Sequence, residues 1–331
     1  MLRRLLSWIF ILASRTRLYL YKKGLFKSIK VDARVVSIGN ISMGGSGKTP
    51  MVLKLANEAA NRGSKTVLIE RGYKGKLCCG QVVCAEKGID TAPNVKIIGD
   101  EAQMVWDSLS NGVRMCVSKS KAKGAVAAQE KWPDTKIVIV DDGFQHLQLK
   151  RDVDVVLIDA VSGFDGKVFP HGTLREPYSA LKRADIVIFT KADDLSTDDL
   201  NELSEKAKEH NPNIKIFFAK TKFYASIDLN GKKILPVSAV FNGEHFRKKL
   251  KTAGAIFDKY MGYSDHRAFS PNDVTDIYDF KNTVAAQYIA LTKKDWAKLE
   301  KLIPDHNDVV LCWYEHIIDN EEEFIRCCIG S

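Results

Sequence analysis

Gly44-Gly45-Ser46-Gly47-Lys48-Thr49 is the stretch of the 331-residue chain that decides the fold. It lies between a short apolar run, residues 34–38, and a helix-like run, residues 51–60. A loop of this kind turns several backbone N–H groups, and the positive end of the following helix, toward bound phosphate. Lys48 would reach the β- and γ-phosphates of a nucleoside triphosphate, and the Thr49 hydroxyl would ligate Mg²⁺. The stretch therefore predicts a P-loop.

Apolar runs of strand length alternate with helix-like segments on both sides of this loop. Runs that are apolar throughout, such as residues 137–140, are typical of parallel strands buried on both faces. The alternation predicts an α/β fold, a doubly wound and mostly parallel sheet with helices on both sides. The predicted strands are 34–38, 65–70, 81–84, 96–98, 137–140, 153–159 and 186–190, and the predicted helices are 51–60, one that begins near 101, and 119–131.

The pattern changes after Lys220. Two strand-like runs, residues 221–228 and 232–237, flank Asn230-Gly231, which is a strong signal for a β-hairpin. We therefore predict a P-loop domain over 23–220, a two-stranded hinge or connector over 221–237, and a smaller C-terminal α/β domain over 238–331. Within that last domain the sequence predicts a helix at 244–252 and strands at 285–291 and 309–313.

Residues 1–22 predict an amphipathic helix. Its apolar segment, residues 5–13, is flanked by arginines and is shorter than the roughly 20 apolar residues that span a membrane. A basic amphipathic helix with aromatic flanks is typical of a membrane interface. A helix packed on the core and a cleaved signal peptide are the alternatives. One face carries Leu2, Leu5, Leu6, Ile9, Ala13, Thr16 and Leu20, Trp8 and Phe10 flank it, and Ile11 and Leu18 fall on the polar side with Ser7 and Ser14.

The composition is that of a globular protein with a basic surface. Apolar residues make up 45% of the chain and charged residues 27%, which argues against general disorder. The formal net charge of +9 favours anionic partners, and a solvated lysine-rich surface explains it equally well. The seven cysteines show no C-x-x-C spacing and no zinc pattern, so we expect reduced thiols, most of them packing residues.

Acidic residues follow the predicted strand 137–140. Asp141 and Asp142 could hold Mg²⁺ directly or through water, and Gln145 and His146 come shortly after them. Ligands of doubly wound sheets bind at the carboxyl ends of the strands. The P-loop and the acidic pair therefore predict one site at one edge of the sheet.

Three other segments carry charges near predicted strand ends. Asp100 could accept a proton from an acceptor hydroxyl, or could simply cap a helix. Arg71 and Arg175 are cations suited to phosphate. Thr190-Lys191-Ala192-Asp193 is similar to the base-reading segment of P-loop GTPases, so GTP rivals ATP as the nucleotide.

Taken together, these segments resemble the tetraacyldisaccharide 4′-kinase family, the lipid A kinases of Gram-negative bacteria, along nearly the whole chain. The Asp-Asp-Gly-Phe-Gln-His segment beside this P-loop variant is specific. The family has Ser or Thr at the place of Ser42, where longer P-loop patterns have Gly. The shared segments are, in order, Gly39–Pro50, Arg71-Gly72-Tyr73, Gly99-Asp100-Glu101, Asp141–His146, Arg151-Asp152, Leu174–Pro177, Asp265-His266 and Thr292–Asp295.

The resemblance implies ATP- and Mg²⁺-dependent transfer of a phosphoryl group to the 4′-hydroxyl of a tetraacylated glucosamine disaccharide 1-phosphate, the lipid A precursor. It implies an active site in the cleft between two domains, and a helix at residues 1–22 docked on the cytoplasmic face of the bacterial inner membrane. On physical grounds we also expect the domains to close about the connector and exclude water. We expect a monomer with no nucleic-acid partner.

The family's site residues map onto this chain by position. Asp100 matches the proposed general base, His266 matches its partner, and Lys48 completes the catalytic set. The nucleotide set is Gly44, Gly45, Ser46, Gly47, Lys48 and Thr49; the metal set is Thr49, Asp141, Asp142 and Glu101; the acceptor set is Arg71, Gln145, His146, Arg175 and Glu176.

Two other classes of P-loop protein remain as alternatives. A regulatory or metallochaperone GTPase would explain residues 190–193, but the chain lacks a metal-binding Cys/His cluster. A membrane-associated ATP-binding partitioning module would usually have Lys just before the glycine pair, where this chain has Met43. We therefore favour the kinase.

Overall fold

The structure is a computed structural model that describes residues 2–43, 46–73, 75–78, 80–239, 243–264 and 269–330. The chain forms two compact units. The first contains Met1–Thr221 and His316–Ser331, and the second contains Lys222–Glu315. The chain thus leaves the first unit once and returns to it once.

The strands follow the predicted apolar runs closely. All five residues of the strand Thr66–Glu70 are buried, as are six of the seven residues of Arg34–Asn40. Such strands expose neither face to water, as parallel strands between two helical layers require. The strands are β1 (Arg34–Asn40), β2 (Thr66–Glu70), β3 (Val82–Glu86), β4 (Arg114–Ser118), β5 (Ile137–Asp141), β6 (Val153–Asp159), β7 (Ile186–Thr190), β8 (Lys215–Ala225), β9 (Ile234–Ser238), β10 (Met261–Gly262), β11 (Tyr288–Thr292) and β12 (Val309–Ile318).

The helices fill the predicted positions between these strands. The helices are α1 (Leu2–Lys22), α2 (Lys48–Asn61), α3 (Val95–Ile98), α4 (Asp100–Ser108), α5 (Lys121–Lys131), α6 (Thr197–His210), α7 (Gly243–Thr252), α8 (Pro271–Thr283), α9 (Lys293–Leu299) and α10 (Glu321–Ile329). Short 3₁₀ turns at Tyr178–Arg183, Ala192–Asp194 and His306–Asp308 complete the connections.

In the first unit the strand order is β8, β7, β6, β1, β5, β2, β4, β3. The pairs from β8 to β4 are parallel, and β3 runs antiparallel to β4 at the edge. One face of the sheet packs Val36 and Ile38 with Leu55 of α2, and the other packs Val138 with Ala125 of α5. Helices on both faces confirm the predicted doubly wound sheet.

The order of the strands brings two loops together. β1 lies between β5 and β6, and Ile38 of β1 is in register with Asp141 of β5. The loops that leave β1 and β5 therefore emerge side by side at the carboxyl edge of the sheet, which is where open α/β sheets bind ligands.

The second unit is a smaller α/β structure. Its strand order is β10, β9, β11, β12, β8, and the pairs from β10 to β12 are parallel. α7 packs Phe246 and Leu250 into one apolar cluster, and α8 packs Val274 and Ile277 into another. The strands β8 and β12 each begin in one unit and end in the other.

The predicted hairpin over residues 221–237 is wrong. β8 and β9 are not neighbours in the sheet, and the chain around Gly231 bonds to a segment farther on. The Gly231 N–H donates to the Gly254 carbonyl at 2.9 Å, and the Ile256 N–H donates to Lys232 at 2.8 Å. Asn-Gly forms a turn here, but its two arms pair with other strands.

The other differences concern residues 96–98, 316–331 and the cysteines. Residues 96–98, predicted as a strand, belong to the short helix α3, because the Asn94 side chain caps it by accepting from the Lys96 N–H. Residues 316–331, predicted as part of the C-terminal domain, lie in the first unit. Cys84 and Cys116, expected as free thiols, are joined as a disulfide across the β3–β4 pair, where they stand directly opposite each other.

Candidate functional site

The P-loop follows the carboxyl end of β1. Gly44 and Gly45 lie outside the described residues, so the description begins at Ser46. Asn40, the last residue of β1, donates from Nδ2 to the Ser46 hydroxyl at 2.7 Å, and the Thr190 hydroxyl donates to the Ser46 carbonyl at 3.3 Å. β1 and β7 thus fix Ser46 from two sides.

Gly47 ends the loop and caps α2. Its φ of 78° lies in the left-handed region, which glycine adopts without steric strain, and no side chain caps the helix. The first backbone N–H groups of α2 are therefore free to bind a phosphate. Lys48 and Thr49, both partly buried, are the first two residues of this helix.

Asp141 and Asp142 lie where β5 ends, beside the P-loop. Asp142 has a φ of 49°, so the chain turns sharply there. A β-carbon on Gly39 of β1 would lie 2.6 Å from the β-carbon of Phe144. Only glycine at position 39 therefore allows the turn after β5 to pack this closely on β1.

Two cations converge on Asp142. Lys48 Nζ lies 3.5 Å from its Oδ1, and Arg175 donates to its two oxygens at 3.0 and 2.7 Å. Burial opposes ionisation of Asp142, but the charges of Lys48 and Arg175 outweigh it and hold its pKa below the usual value. Asp142 is therefore an anion that orients the P-loop lysine.

Asp141 has the opposite electrostatic environment. Burial raises its pKa to about 6, and the charge of Asp142 acts in the same direction while Lys121 opposes it. Its Oδ1 atom is buried and has no hydrogen-bond partner among the residues that the structure describes. A buried carboxylate oxygen without a donor lacks the partner that such groups normally have, and a bound cation would supply it.

Glu70 and Lys121 join this cluster, and our sequence reasoning did not single them out. Glu70 ends β2 and is 5% exposed, and its pKa is raised well above the usual value by burial and by Asp141. Lys121 begins α5, is 1% exposed, and donates from Nζ to the Ile69 carbonyl at 3.0 Å. This segment was predicted as a helix over 119–131, but no sequence pattern marked one of its lysines as buried.

A second group of polar residues surrounds the turn after β5. Gln145 donates from Nε2 to the Asn40 carbonyl and to Glu176 Oε1, both at 3.0 Å. Glu176 also accepts from Arg183 at 2.7 Å. The expected acceptor residues Gln145 and Glu176 are thus in direct contact, and Arg175 beside them reaches Asp142.

His146 lies in the same cluster of charges. Burial, with further contributions from Lys121, Arg71 and Arg17, lowers its pKa to about 4 in spite of the nearby Asp142. The imidazole is therefore neutral at physiological pH, and it can donate one hydrogen bond and accept another.

Asp100 is the first residue of α4 and is exposed, with Glu101 partly buried beside it. The helix cap is Gly99, so Asp100 does not fill the capping role that was the alternative for it. Glu101 is near enough to Asp141 and Glu70 to raise both of their pKa values. His266, the expected partner of Asp100, and Asp265 lie outside the described residues.

The segment that suggested a GTPase is engaged in contacts within the protein. Asp193 accepts from the Thr221 N–H at 3.0 Å, Lys191 pairs with Asp159, and Thr190 holds the P-loop as described above. Because these groups have protein partners, their arrangement explains residues 190–193 without a guanine base.

A ready-made metal cluster and a membrane-spanning helix are both absent from the residues that the structure describes. No group of three or more His, Cys, Asp or Glu side chains is arranged there to hold a metal ion. None of the helices within the described ranges is long and apolar enough to cross a membrane.

The chain is similar in sequence to one family of known proteins. The model of the family described as tetraacyldisaccharide-1-P 4′-kinase matches residues 1–325. A tetraacyldisaccharide 4′-kinase of Halothermothrix orenii is 33% identical over 328 residues, covering 92% of this chain and 85% of that protein. One of Bdellovibrio bacteriovorus is 30% identical over 304 residues, covering 89% of this chain and 87% of that protein.

A solved structure shows the same fold. The crystal structure of LpxK from Aquifex aeolicus, in complex with ATP, superimposes with a TM-score of 0.74. The two chains are 25% identical, and the match covers 98% of each.

Proposed function

Because this chain belongs to the tetraacyldisaccharide-1-P 4′-kinase family, we propose that it transfers the γ-phosphoryl group of ATP to the 4′-hydroxyl of a tetraacylated glucosamine disaccharide 1-phosphate. The observation that carries the proposal is the convergence of Lys48 and Arg175 on Asp142 beside the P-loop. Phosphoryl transfer depends on positioning and on neutralising charge, and these two cations are placed for both.

In this proposal Lys48 and Arg175 exchange part of their interaction with Asp142 for an interaction with the phosphates of ATP. Lys48 and Arg175 bind Asp142 in the structure, and Asp142 keeps both side chains near the first turn of α2. A triphosphate held by the N–H groups of that turn would attract both cations without a large rearrangement. Asp142 thus pre-organises the charge that the transferring group requires.

Mg²⁺ bound to the phosphate oxygens would neutralise further negative charge there. The residues present fit this ion through the unpartnered Oδ1 of Asp141 and the hydroxyl of Thr49. Mg²⁺ usually takes one or two carboxylates and completes its shell with phosphate and water, so a larger cluster of protein ligands is not required. Glu101 and Asp142 add negative charge to the same proposed site.

Asp100 is the proposed base. It would accept the proton of the acceptor 4′-hydroxyl while the oxygen forms its bond to the γ-phosphorus and the bond from that phosphorus to the bridging β–γ oxygen breaks, releasing ADP. His266 would pair with Asp100, and Arg71, Gln145, His146, Arg175 and Glu176 would line the acceptor side.

The acceptor is a lipid, so the proposed enzyme works at a membrane surface, the cytoplasmic face of the bacterial inner membrane. α1 supports this location. It packs on the protein through the stripe Ser7, Ile11, Ser14 and Leu18, and the Ser7 hydroxyl donates to the Val168 carbonyl at 2.7 Å. The opposite, apolar face is exposed, as the sequence predicted. We propose that the protein acts there as a monomer, without nucleic acid.

The direct test is transfer of ³²P from [γ-³²P]ATP to the disaccharide 1-phosphate in detergent micelles. Wild type should label the lipid, and Lys48→Ala and Asp100→Ala should each reduce labelling by at least about a hundredfold. Asp193→Asn is the matched control and should keep its activity with ATP. Absence of lipid labelling by a folded wild-type protein that binds ATP would overturn the acceptor assignment, and tight GTP binding lost in Asp193→Asn would favour a GTPase.

A further inference from the structure

His316 lies beneath the P-loop, far from it in sequence. It is in β12, at the point where the chain returns to the first unit, and it is 3% exposed. Its Nε2 atom lies 2.9 Å from the carbonyl oxygen of Gly47. His316 is not among the predicted site residues, and the reaction proposed above gives it no role.

The imidazole of His316 packs closely against the backbone of Gly47. A β-carbon on Gly47 would lie 2.3 Å from Nε2 and 2.7 Å from Cε1 of the imidazole. The ring therefore occupies the space that any other residue at position 47 would need. Burial lowers the pKa of His316, and the backbone contacts to Gly47 and Lys220 oppose this shift. Because a carbonyl oxygen can only accept, the Nε2 atom that faces it carries a proton and donates.

The carbonyl of Gly47 has one other partner, the N–H of Met51 in the first turn of α2, at the longer distance of 3.4 Å. In a trans peptide the C=O and the following N–H point in opposite directions. A bond that fixes the Gly47 carbonyl therefore also fixes the direction of the Lys48 N–H. That N–H is one of the free donors at the start of α2 that a phosphate would use.

We propose that His316 is a positioning residue for the nucleotide: its hydrogen bond to the Gly47 carbonyl aims the Lys48 N–H at the bound phosphates. Asn40 and Thr190 hold Ser46, and His316 holds the next peptide, so the three anchors fix consecutive parts of the loop. The inference rests on the nucleotide half of the proposed function. It does not depend on the identity of the acceptor.

The test compares three variants by ATP binding, measured by titration calorimetry without any lipid. His316→Gln places its amide nitrogen near the position of Nε2 and should keep the Kd within about threefold. His316→Asn is too short to reach the carbonyl, and His316→Leu has no donor, so each should weaken binding by about tenfold. In the transfer assay both should raise the KM for ATP and leave the KM for the lipid unchanged.

The control variant Ile318→Ala distinguishes the loss of the His316 hydrogen bond from a general loss of stability in β12. Ile318 lies two residues on in β12 and is 4% exposed, so its loss should lower the melting temperature and leave the Kd for ATP unchanged. Equal ATP affinity in wild type, His316→Asn and His316→Leu would overturn the inference and leave the kinase intact, as would a loss in Ile318→Ala as large as theirs. A folded wild-type protein that binds no ATP would overturn the proposed function and this inference with it.

Discussion

Asp141 and Asp142 are neighbours in sequence, yet the protein shifts their pKa values in opposite directions. Both are desolvated, and the difference lies in their partners. Asp142 binds Lys48 and Arg175 directly, whereas Asp141 has a buried oxygen with no donor. Adjacent carboxylates with different environments can take different tasks: one orients cations and the other remains available to a cation that arrives with the nucleotide.

This division predicts different defects for the two asparagine variants. Asp141→Asn should raise the Mg²⁺ concentration needed for half-maximal activity by about tenfold or more, because it removes a carboxylate from the proposed metal site. Asp142→Asn should mainly lower kcat, because Lys48 and Arg175 lose their anchor. The measurement is a Mg²⁺ titration of lipid phosphorylation at fixed ATP.

Asp134→Asn serves as the control for both variants, because Asp134 pairs with Arg114 before the amino end of β5, whereas Asp141 and Asp142 lie at its carboxyl end. It should leave the titration unchanged. Identical Mg²⁺ curves for wild type and Asp141→Asn would show that Asp141 is not a ligand.

His146 gives the protein a pH dependence of known sign. Its pKa is about 4 in the folded protein and near 6.5 in an unfolded chain. Between these values the unfolded chain binds a proton that the folded one does not, so this residue's contribution to stability falls as the pH falls from about 6.5 to 4.

Urea unfolding of wild type and His146→Gln at pH 7, 6 and 5 tests this sign. Wild type should lose more stability than the variant on acidification, and contributions from Asp141 cancel because both proteins contain it. Parallel stability curves would show that the folded His146 titrates normally.

At the scale of elements, α1 combines two surfaces with different purposes. Two of the four side chains that it turns to the protein are serines, whereas most of its large apolar side chains are exposed. Leu5 is 59% exposed, Trp8 69% and Ile9 56%, in a helix that also exposes Arg3, Arg4, Arg15 and Arg17. An apolar face left in contact with water, with cations along the same helix, fits the interface of an anionic membrane.

The double variant Leu5→Ser/Ile9→Ser should therefore bind vesicles of phosphatidylglycerol and phosphatidylethanolamine at least about tenfold more weakly in a flotation assay. Its activity on a short-chain, micellar acceptor should change less. Ile89→Ser is the matched control, because Ile89 is 76% exposed but lies outside α1. Equal flotation of the double variant and the control would count against the membrane role.

α10 contacts both α2 and β8, and these contacts differ greatly in strength. Lys54 pairs with Glu321 at 2.7 Å and Arg62 with Glu322 at 2.6 Å, both at the surface. Phe324 is fully buried and meets Phe217 edge to face, with ring centroids 5.6 Å apart. Exposed ion pairs contribute little, whereas buried aromatic rings contribute several kcal/mol.

Phe324→Ala should thus lower the free energy of unfolding by about 3–5 kcal/mol in a denaturant titration, while Glu322→Gln should be close to wild type. A loss for Glu322→Gln as large as that for Phe324→Ala would mean that the ion pairs, and not the apolar core, hold the helix.

At the scale of the whole molecule, the sequence predicts those strands and loops that a short local pattern of residues determines. The strands at 137–140, 153–159 and 186–190 are confirmed because each contains four consecutive apolar residues, and the P-loop is recognised by its glycines and lysine. Residues 96–98 were ambiguous, since three residues cannot distinguish a strand from a helical turn, and the Asn94 cap decides for the helix.

Long-range pairing could not be predicted in this way. The chain around Asn230-Gly231 pairs with residues 254–256, which no local pattern indicates. In the site, His316 meets Gly47 across 269 residues of chain, and Lys121 meets Ile69 across 52. Residues that belong to a recognisable motif could be predicted from the sequence. His316 and Lys121 could not, because their roles depend on contacts that only the folded chain creates.

The interrupted first unit has a consequence for protein synthesis. The segment from His316 onward belongs to the unit that contains the P-loop, yet the ribosome makes it only after all of residues 222–315. The strands β1 to β7 precede this insertion in the chain, whereas His316 and α10 follow it. The nucleotide-binding unit therefore matures only after residues 222–315 have been made, and a chain interrupted before residue 316 would display a P-loop with one of its anchors missing.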